Sequence, residues 1–385
     1  MAKTYKNLFS KIVSIENLMS AYNNATKQKR FRDAVLLFDQ NLSKNIGQLH
    51  QQLISKTYKH GQYHFFTVYD KKKRTISAAP FRDRVVHHAI YKIIEPIYNK
   101  KFIFDSYANR KLKGSHRAVK RLQKFLLMAK RRASGQTTPL VYCLKCDISK
   151  CFPSINHKIL IKILNKKIKD KDTIWLLREI INSYESGNEY NKLFPANSYF
   201  HAKRPRGIAI GNLTSQIFVN IYLNELDQYL KHQLKVKYYV RYVDDFIILS
   251  KDKKYLHQLV KKIKAFLYDN LYLTLHPKKI SISPSALGIN FLGYIVFKDF
   301  ILLLPQNKRL FYKKLHKLKK LFQQGKICPD YLQRSLTAWL AYCEHADSYR
   351  LRKRIFGQPI NCKEQKKLCY IIYSWLDHTS SCRFH

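Results

Sequence analysis

The sequence predicts an α+β chain, and three observations carry that reading. Apolar residues recur at helical spacing over long stretches. Short β-branched and aromatic runs stand between them. The order of the two kinds gives βαββαβ-like units with helices on both flanks. With 385 residues and 46% hydrophobic content the chain can bury a large core, and its length suits two or three subdomains.

Residues 5–56 read as mostly helical, with Leu8, Ile12, Ile15 and Leu18 on one apolar stripe and Ala34, Leu37, Phe38 and Leu42 on another. Residues 62–80 read as two strands about a basic turn, Asp70–Arg74. A helix from Asp83 to about Tyr98 puts Val85, Val86, Ala89, Ile93 and Ile94 on its apolar side, and Gly114–Lys130 is a helix with one very basic face. A strand over Leu140–Ile148 carries Asp147 at its end. Helices at His157–Lys167 and Thr173–Ser183 follow. Pro205–Gly211 is a Gly/Pro-punctuated loop that opens a helix over Leu213–Lys231, with Asn212 as its cap. Lys237–Ser250 reads as a hairpin, residues 254–270 as a helix, and short strands run on to Leu304. The remainder is helical and basic. This order divides the chain at 1–58, 59–304, 305–356 and 357–385.

Lys and Arg number 72 against 25 Asp and Glu, a formal charge of +47. Such an excess repels itself in a compact state and calls for a polyanionic partner. Nucleic acid suits it best, because lysines and arginines release condensed counterions from phosphates. An anionic membrane is the competing partner, but the basic residues spread along the whole chain rather than beside one anchor. No apolar run has the length of a transmembrane helix, and the first residues lack the apolar core of a signal peptide. Eight cysteines in a chain of this size do not make a disulfide scaffold, so a cytoplasmic location is expected. Cys143 and Cys146 have CxxC spacing, but on a strand they point to opposite faces. Cys362, Cys369, Cys382 and His385 are too irregularly spaced to favour structural zinc.

The most informative stretch is Tyr242-Val243-Asp244-Asp245, at the turn of the hairpin. Two carboxylates held side by side repel each other unless a cation lies between them, and hard divalent cations prefer carboxylate oxygens. The pair reads as half of a two-metal phosphoryl-transfer site or as a solvated acidic turn. Asp147, at a second strand end, can converge on it. Phe152 is placed to pack beneath a sugar, or simply in the core. Lys150, Arg74 and Arg82 can meet a triphosphate, or belong to the general basic surface.

The ordered blocks make the resemblance specific. Asp147 in DISKCF, IAIGNLTSQ (Ile208–Gln216), YVDD, HPKK (His276–Lys279) and FLGY (Phe291–Tyr294) together resemble the palm of reverse transcriptases. ISAAPFRDRVVHHA (Ile76–Ala89) and SYANRK (Ser106–Lys111) resemble the fingers of bacterial members. The likeness covers roughly residues 60–300. It implies a right-hand polymerase of fingers, palm and thumb that copies RNA into DNA, with an N-terminal helical element and a helical thumb. It also implies two Mg2+ ions, or Mn2+, on Asp147, Asp244 and Asp245, with Phe152 as the sugar gate. Arg74, Arg82, Lys150 and Lys279 would lie near the triphosphate, and Gly211 would let the backbone approach the nascent pair. Phe291, Leu292, Gly293 and Tyr294 would grip the primer end. Asn307–Phe322 has Phe311, Leu315, Leu318 and Phe322 at helical spacing. It reads as an amphipathic helix for a membrane or, after a palm, as a thumb helix placing Lys313, Lys314, Lys317 and Lys320 on duplex phosphates.

The family usually has Pro-Gln-Gly where this chain has Ala209-Ile210-Gly211, and Ser-Pro where it has Ser215-Gln216. Ile210 cannot make the hydrogen bonds of the usual amide, so Ile210 and Gln216 are candidate fidelity positions. GNLTSQ, the fingers block and Leu336–Phe356 are similar to the reverse transcriptases of diversity-generating retroelements. That likeness implies copying of a template-repeat RNA with errors opposite adenine, and a small basic accessory protein that forms a pentamer. The alternative is a bacterial defence reverse transcriptase with its own noncoding RNA, which the segment Gln358–His385 favours. Group II intron maturases stand further off, because no DNA-binding or HNH endonuclease region is visible. A reading of another class, a non-catalytic RNA-binding protein on the same fold, is opposed by the survival of all three acidic positions. Acidic residues after Leu304 are too sparse for an RNase H domain. Of 27 tyrosines none stands out as a protein primer.

Overall fold

The computed structural model describes residues 3–69, 73–129, 140–186 and 205–380. Four helices open the chain: α1 (Phe9–Val13), α2 (Ile15–Ala25), α3 (Asp33–Asp39) and α4 (Leu42–Ile54). The hairpin β1 (His64–Tyr69) and β2 (Lys73–Ala78) leads into α5 (Phe81–Asn99) and α6 (Ser115–Ala129). Next come β3 (Tyr142–Asp147), α7 (Cys151–Ser154), α8 (His157–Asn165), α9 (Lys171–Asn182) and α10 (Leu213–Gln228). The strands β4 (Tyr238–Tyr242) and β5 (Asp245–Ser250) precede α11 (Lys253–Leu271). Four short strands follow: β6 (Ser281–Pro284), β7 (Ile289–Phe291), β8 (Tyr294–Val296) and β9 (Ile301–Leu303). The helices α12 (Pro305–Gln323), α13 (Pro329–Cys343), α14 (Tyr349–Phe356) and α15 (Gln365–Ser380) complete the order.

The chain forms two units, Met1–Gly114, Leu144–Ile248 and Lys254–Ser281 in one, Ser115–Cys143, Leu249–Lys253 and Ile282–His385 in the other. In the first, α5 is the spine. Val85, Val86, Ala89, Ile90 and Ile94 are fully buried along one side of it, against α2 and α10. α10 is apolar nearly all round, as an interior helix must be, and Ile217, Phe218, Ile221, Tyr222 and Leu226 are buried. It ends in a π-helical turn, Tyr229–Gln233, where the sequence predicts one continuous helix. Strands β4, β5 and β3 lie side by side in that order. The β1–β2 hairpin is antiparallel from His64 opposite Ala78 to Tyr69 opposite Lys73, and every side chain of β1 is exposed.

The expected N-terminal stripe breaks at Ser14. Its extended ψ of 141° ends α1, and its hydroxyl accepts from the amide of Asn17 at 3.2 Å to cap α2. Ile15 thus begins a new helix out of phase with Leu8 and Ile12, and it is exposed. Likewise α3 starts afresh at Asp33, so Val35 is buried while Leu37 faces solvent.

In the second unit α6 and β7–β9 belong with α12–α15. The amide of Ser285, just after β6, donates to the carbonyl of Val141 at 2.8 Å. Phe311, Leu315, Leu318 and Phe322 of α12 enter one core with Leu332, Leu336 and Leu340 of α13, as their spacing predicts. Leu368, Ile371 and Ile372 of α15 close the same core. Helix α15, within the extension expected over residues 357–385, thus packs in the same core as α12 and α13.

No helix among the described residues is long and apolar enough to cross a membrane. Cys143 and Cys146 are free thiols and both buried. Cys382 and His385, and residues 70–72 of the expected basic turn, lie outside the described residues.

Candidate active site

Asp147 ends β3, while Val243 and Asp244 form the tight connection between β4 and β5, so that Asp245 begins β5. The amide of Ile148 donates to the carbonyl of Asp244 at 3.1 Å, which ties the end of β3 to the turn. On the other side the amide of His276 donates to the carbonyl of Asp147 at 2.8 Å. Three carboxylates from two distant points of the chain, Asp147 and the adjacent Asp244 and Asp245, are thereby brought to one end of the sheet. Val243 has φ +56°, a left-handed conformation costly for a β-branched residue, worth about 1–3 kcal/mol.

Arg241 holds that conformation. It lies two residues before Val243 on β4 and is fully buried. Its Nη1 donates to the carbonyl of Val243 at 2.9 Å, and its Nε and Nη2 form an ion pair with Asp227 of α10. Tyr239 donates to the same carboxylate at 2.7 Å.

The carboxylates feel burial and each other. Burial pushes the Asp244 carboxyl above its ordinary value and the charge of Asp147 adds to this, while Lys279 and Arg74 oppose it. Burial raises Asp245 to about 6, against the pull of Lys145. Lys279 pairs with Asp147 at 2.5 Å and Lys145 lies 3.7 Å from Asp245. The buried Oδ1 of Asp245 has no hydrogen-bond partner among the described residues. No three His, Cys, Asp or Glu side chains among the described residues are gathered as a ready metal cluster. Even so, an all-oxygen donor set, an orphaned carboxylate oxygen and two ammonium groups drawn to the carboxylates suit a hard divalent cation.

The expected nucleotide residues fall into two groups. Gly211 has φ +121°, and a Cβ there would lie 3.0 Å from Cγ2 of Ile76. The carbonyl of Ile210 accepts from the amide of Ser77 at 2.9 Å, and Ile208 donates to the carbonyl of Phe152 at 3.1 Å. The loop thus spans from the root of the β1–β2 hairpin to α7. Ile210, Gln216 and Phe152 are half-buried, and Lys150 is exposed at the start of α7. Arg74 is exposed on β2, near enough to act on Asp244. Arg82 departs from the expectation: its guanidinium is engaged by the carbonyl of Lys59, by Gln52 and by Asp83, over the ring of Tyr58. Buried Asp83 also accepts from the hydroxyl of Tyr58 at 2.8 Å and the amide of Gly61 at 2.9 Å, so Arg82 is one of several groups around it. Asn212 occupies the expected cap position of α10, but its side chain donates to the hydroxyl of Tyr63 at 3.1 Å instead of capping.

In the second unit Leu292 and Gly293 are the turn between β7 and β8, with Phe291 paired to Tyr294. Phe291 and Tyr294 are buried, so only the two turn residues of the expected primer grip are available for contact. Strand alternation explains this, since both flanking rings point to the same interior face. Lys313, Lys314, Lys317 and Lys320 are all exposed on α12.

Sequence reasoning missed Arg241, Asp227 and Lys145. The usable signal was an arginine inside the apolar run KYYVRYVDD, because a charge within a buried strand requires a partner.

The fold is that of a right-hand polymerase, and comparison with known proteins gives its family. Residues 59–296 match the family described as reverse transcriptase (RNA-dependent DNA polymerase). The chain belongs to that family. It is 26% identical over 288 residues to the group II intron-encoded protein LtrA of Lactococcus lactis subsp. cremoris, a match covering 58% of this chain and 44% of that one. It is 25% identical over 282 residues to the putative COX1/OXI3 intron 2 protein of Saccharomyces cerevisiae, covering 58% and 30%. The chain thus spans less than half the length of either relative. Among solved structures, the apo telomerase of Candida tropicalis, truncated from its C-terminal domain, aligns with TM-score 0.44 and 13% identity, covering 67% of this chain and 59% of that one.

Proposed function

We propose that this protein is an RNA-directed DNA polymerase that extends a primer by nucleotidyl transfer at Asp147, Asp244 and Asp245. The observation carrying this is the convergence of the three carboxylates at one sheet end, with Lys279 on Asp147 and Arg74 acting on Asp244. Asp147, Asp244 and Asp245 would hold two divalent cations, Mg2+ in the first instance, which supply charge stabilisation for the attacking hydroxyl and the leaving pyrophosphate. Gly211 leaves room for the nascent pair, Phe152 borders the sugar, and Lys150 and Lys279 meet the phosphates. The lysines of α12 bind the duplex backbone. Replacing both Asp244 and Asp245 by Ala is expected to abolish divalent-dependent dNTP incorporation on an RNA template while leaving RNA binding nearly intact. Incorporation retained by that variant would overturn the assignment.

The finer reading is a diversity-generating retroelement enzyme that copies a template-repeat RNA with errors at adenine, aided by a small basic accessory protein. Its support is Ile210, half-buried in the loop beside Gly211, where an aliphatic group replaces an amide. A second reading rests on the relatives, both described as intron products: the copied RNA would then be intron-like. Sequencing the nucleic acid that co-purifies, together with its cDNA, separates them. Adenine-scattered errors support the first, and an intron-like template supports the second. Faithful copies of a dedicated noncoding RNA or a simple repeat point to phage defence.

A further inference from the structure

The turn Leu292-Gly293 is fastened in an unusual way. Both residues have positive φ, +50° and +91°, the pattern of a two-residue hairpin turn. The carbonyl of Gly293 accepts three donors: the amide of Leu304 at 3.0 Å, Nδ2 of Asn307 at 3.1 Å and the hydroxyl of Tyr342 at 2.6 Å. Asn307 also donates to the Tyr342 hydroxyl at 2.7 Å. A Cβ on residue 293 would lie 2.8 Å from both side chains, so glycine is required by space as well as by φ. Beneath the turn, Tyr294 donates to the carbonyl of Tyr342 at 2.9 Å, and the two rings pack at 4.8 Å. Asn307 lies in α12 and Tyr342 in α13. One peptide carbonyl is therefore bound to two different helices of the same unit, through side chains that also bind each other.

We propose that Tyr342 and Asn307 are positioning residues for the primer strand. They lock the Leu292–Gly293 turn to α12 and α13, so the turn and the lysine face of α12 hold a primer–template duplex as one body. The inference rests on the reading of that turn as a primer contact. Without the lock the turn still forms, but it is free to shift against the helix that binds the backbone. The consequence belongs to duplex retention rather than to bond formation.

The test uses the full chain and a defined RNA template with a DNA primer. Tyr342→Phe removes one hydroxyl and keeps the ring. It is expected to raise KM for primer–template and shorten products per binding event by about three- to ten-fold, the loss appropriate to one or two hydrogen bonds. The kcat for single-nucleotide addition at saturating primer–template and the KM for dNTP should stay unchanged, and the melting temperature should fall by only a few degrees. Asn307→Asp, which turns an acceptor toward the Gly293 carbonyl, should act in the same direction. Leu292→Glu tests the turn itself. If Leu292→Glu weakens primer–template binding but Tyr342→Phe and Asn307→Asp do not, the lock is wrong and the primer contact stands. Primer–template binding unaffected by Leu292→Glu would overturn the primer contact and the inference with it. A fall in kcat with unchanged KM in Tyr342→Phe would also overturn it.

Discussion

Arg241 and Asp227 form a fully buried, two-pronged ion pair, Nε to Oδ1 at 2.7 Å and Nη2 to Oδ2 at 2.5 Å, directly behind the Asp244–Asp245 turn. Burial alone would lower the arginine's pKa, but the Asp227 charge outweighs it and holds the guanidinium above its ordinary value. Breaking such a pair strands a charge and costs about 3–5 kcal/mol, whereas replacing it by apolar groups of similar volume is often neutral. Asp227→Asn should therefore lower the unfolding free energy by about that amount. The triple change Arg241→Met, Asp227→Leu and Tyr239→Phe should recover most of the loss in a denaturant titration. It should not recover primer extension, because the carbonyl of Val243 loses its Arg241 donor. Full activity in the triple variant would show that the pair supports stability alone.

Gly211→Ala should weaken nucleotide use. The new Cβ lies 3.0 Å from Cγ2 of Ile76 and demands a left-handed backbone, a penalty of about 1–2 kcal/mol for a non-glycine residue. The loop's link to Ser77 transmits the shift to the hairpin root. Steady-state kinetics should give a raised KM for dNTP with an unchanged KM for primer–template. Wild-type kinetics in Gly211→Ala would refute a close-approach role.

Asp170 joins α9 to the start of α1, accepting from the amides of Leu8 (2.6 Å), Phe9 (2.8 Å), Asp172 (3.1 Å) and Thr173 (3.2 Å). Burial pushes its carboxyl up, but the amides of Phe9, Thr173 and Leu8 outweigh burial and leave it below the ordinary value. A carboxyl depressed in the folded state stabilises above its unfolded pKa and loses that contribution as pH falls through the folded value. Asp170→Asn should thus be less stable than the natural chain at pH 7, by about 1–2 kcal/mol. The gap should shrink on acidification below about pH 4. A gap independent of pH would contradict the charge's role.

With 72 Lys and Arg against 25 Asp and Glu, RNA affinity should fall steeply with salt. If about six phosphates are contacted, affinity drops roughly a thousand-fold between 50 and 200 mM salt. Replacing Lys313, Lys314, Lys317 and Lys320 by Gln should flatten the slope of log affinity against log salt. A slope unchanged by that variant would place the phosphate contacts elsewhere.

The α+β order, the three carboxylates and the apolar stripe of α12 were legible in the sequence because each follows a short-range rule: strand alternation, turn placement, helical spacing. What stayed hidden depends on distant partners. Ile15 looked like core because its phase suits an unbroken helix, and only the cap at Ser14 changes that phase. Arg82 looked available because nothing local shows that Asp83 and the Lys59 carbonyl claim it. Phe291 and Tyr294 stood in a recognisable block, yet the motif does not say which side of the hairpin is buried. Lys145 carries no motif, and it matters only because β3 and β5 are neighbours.

The hairpin of β1 and β2 has a further consequence. Two strands with one edge partner each, and no buried side chain along β1, hold together weakly in water. Their amides should exchange with solvent deuterium far sooner than those of β4 and β5, which lie in the interior sheet. Slowed exchange at residues 64–69 on adding nucleotide and template would then time the moment when this hairpin is covered, a signal readable without following synthesis at all.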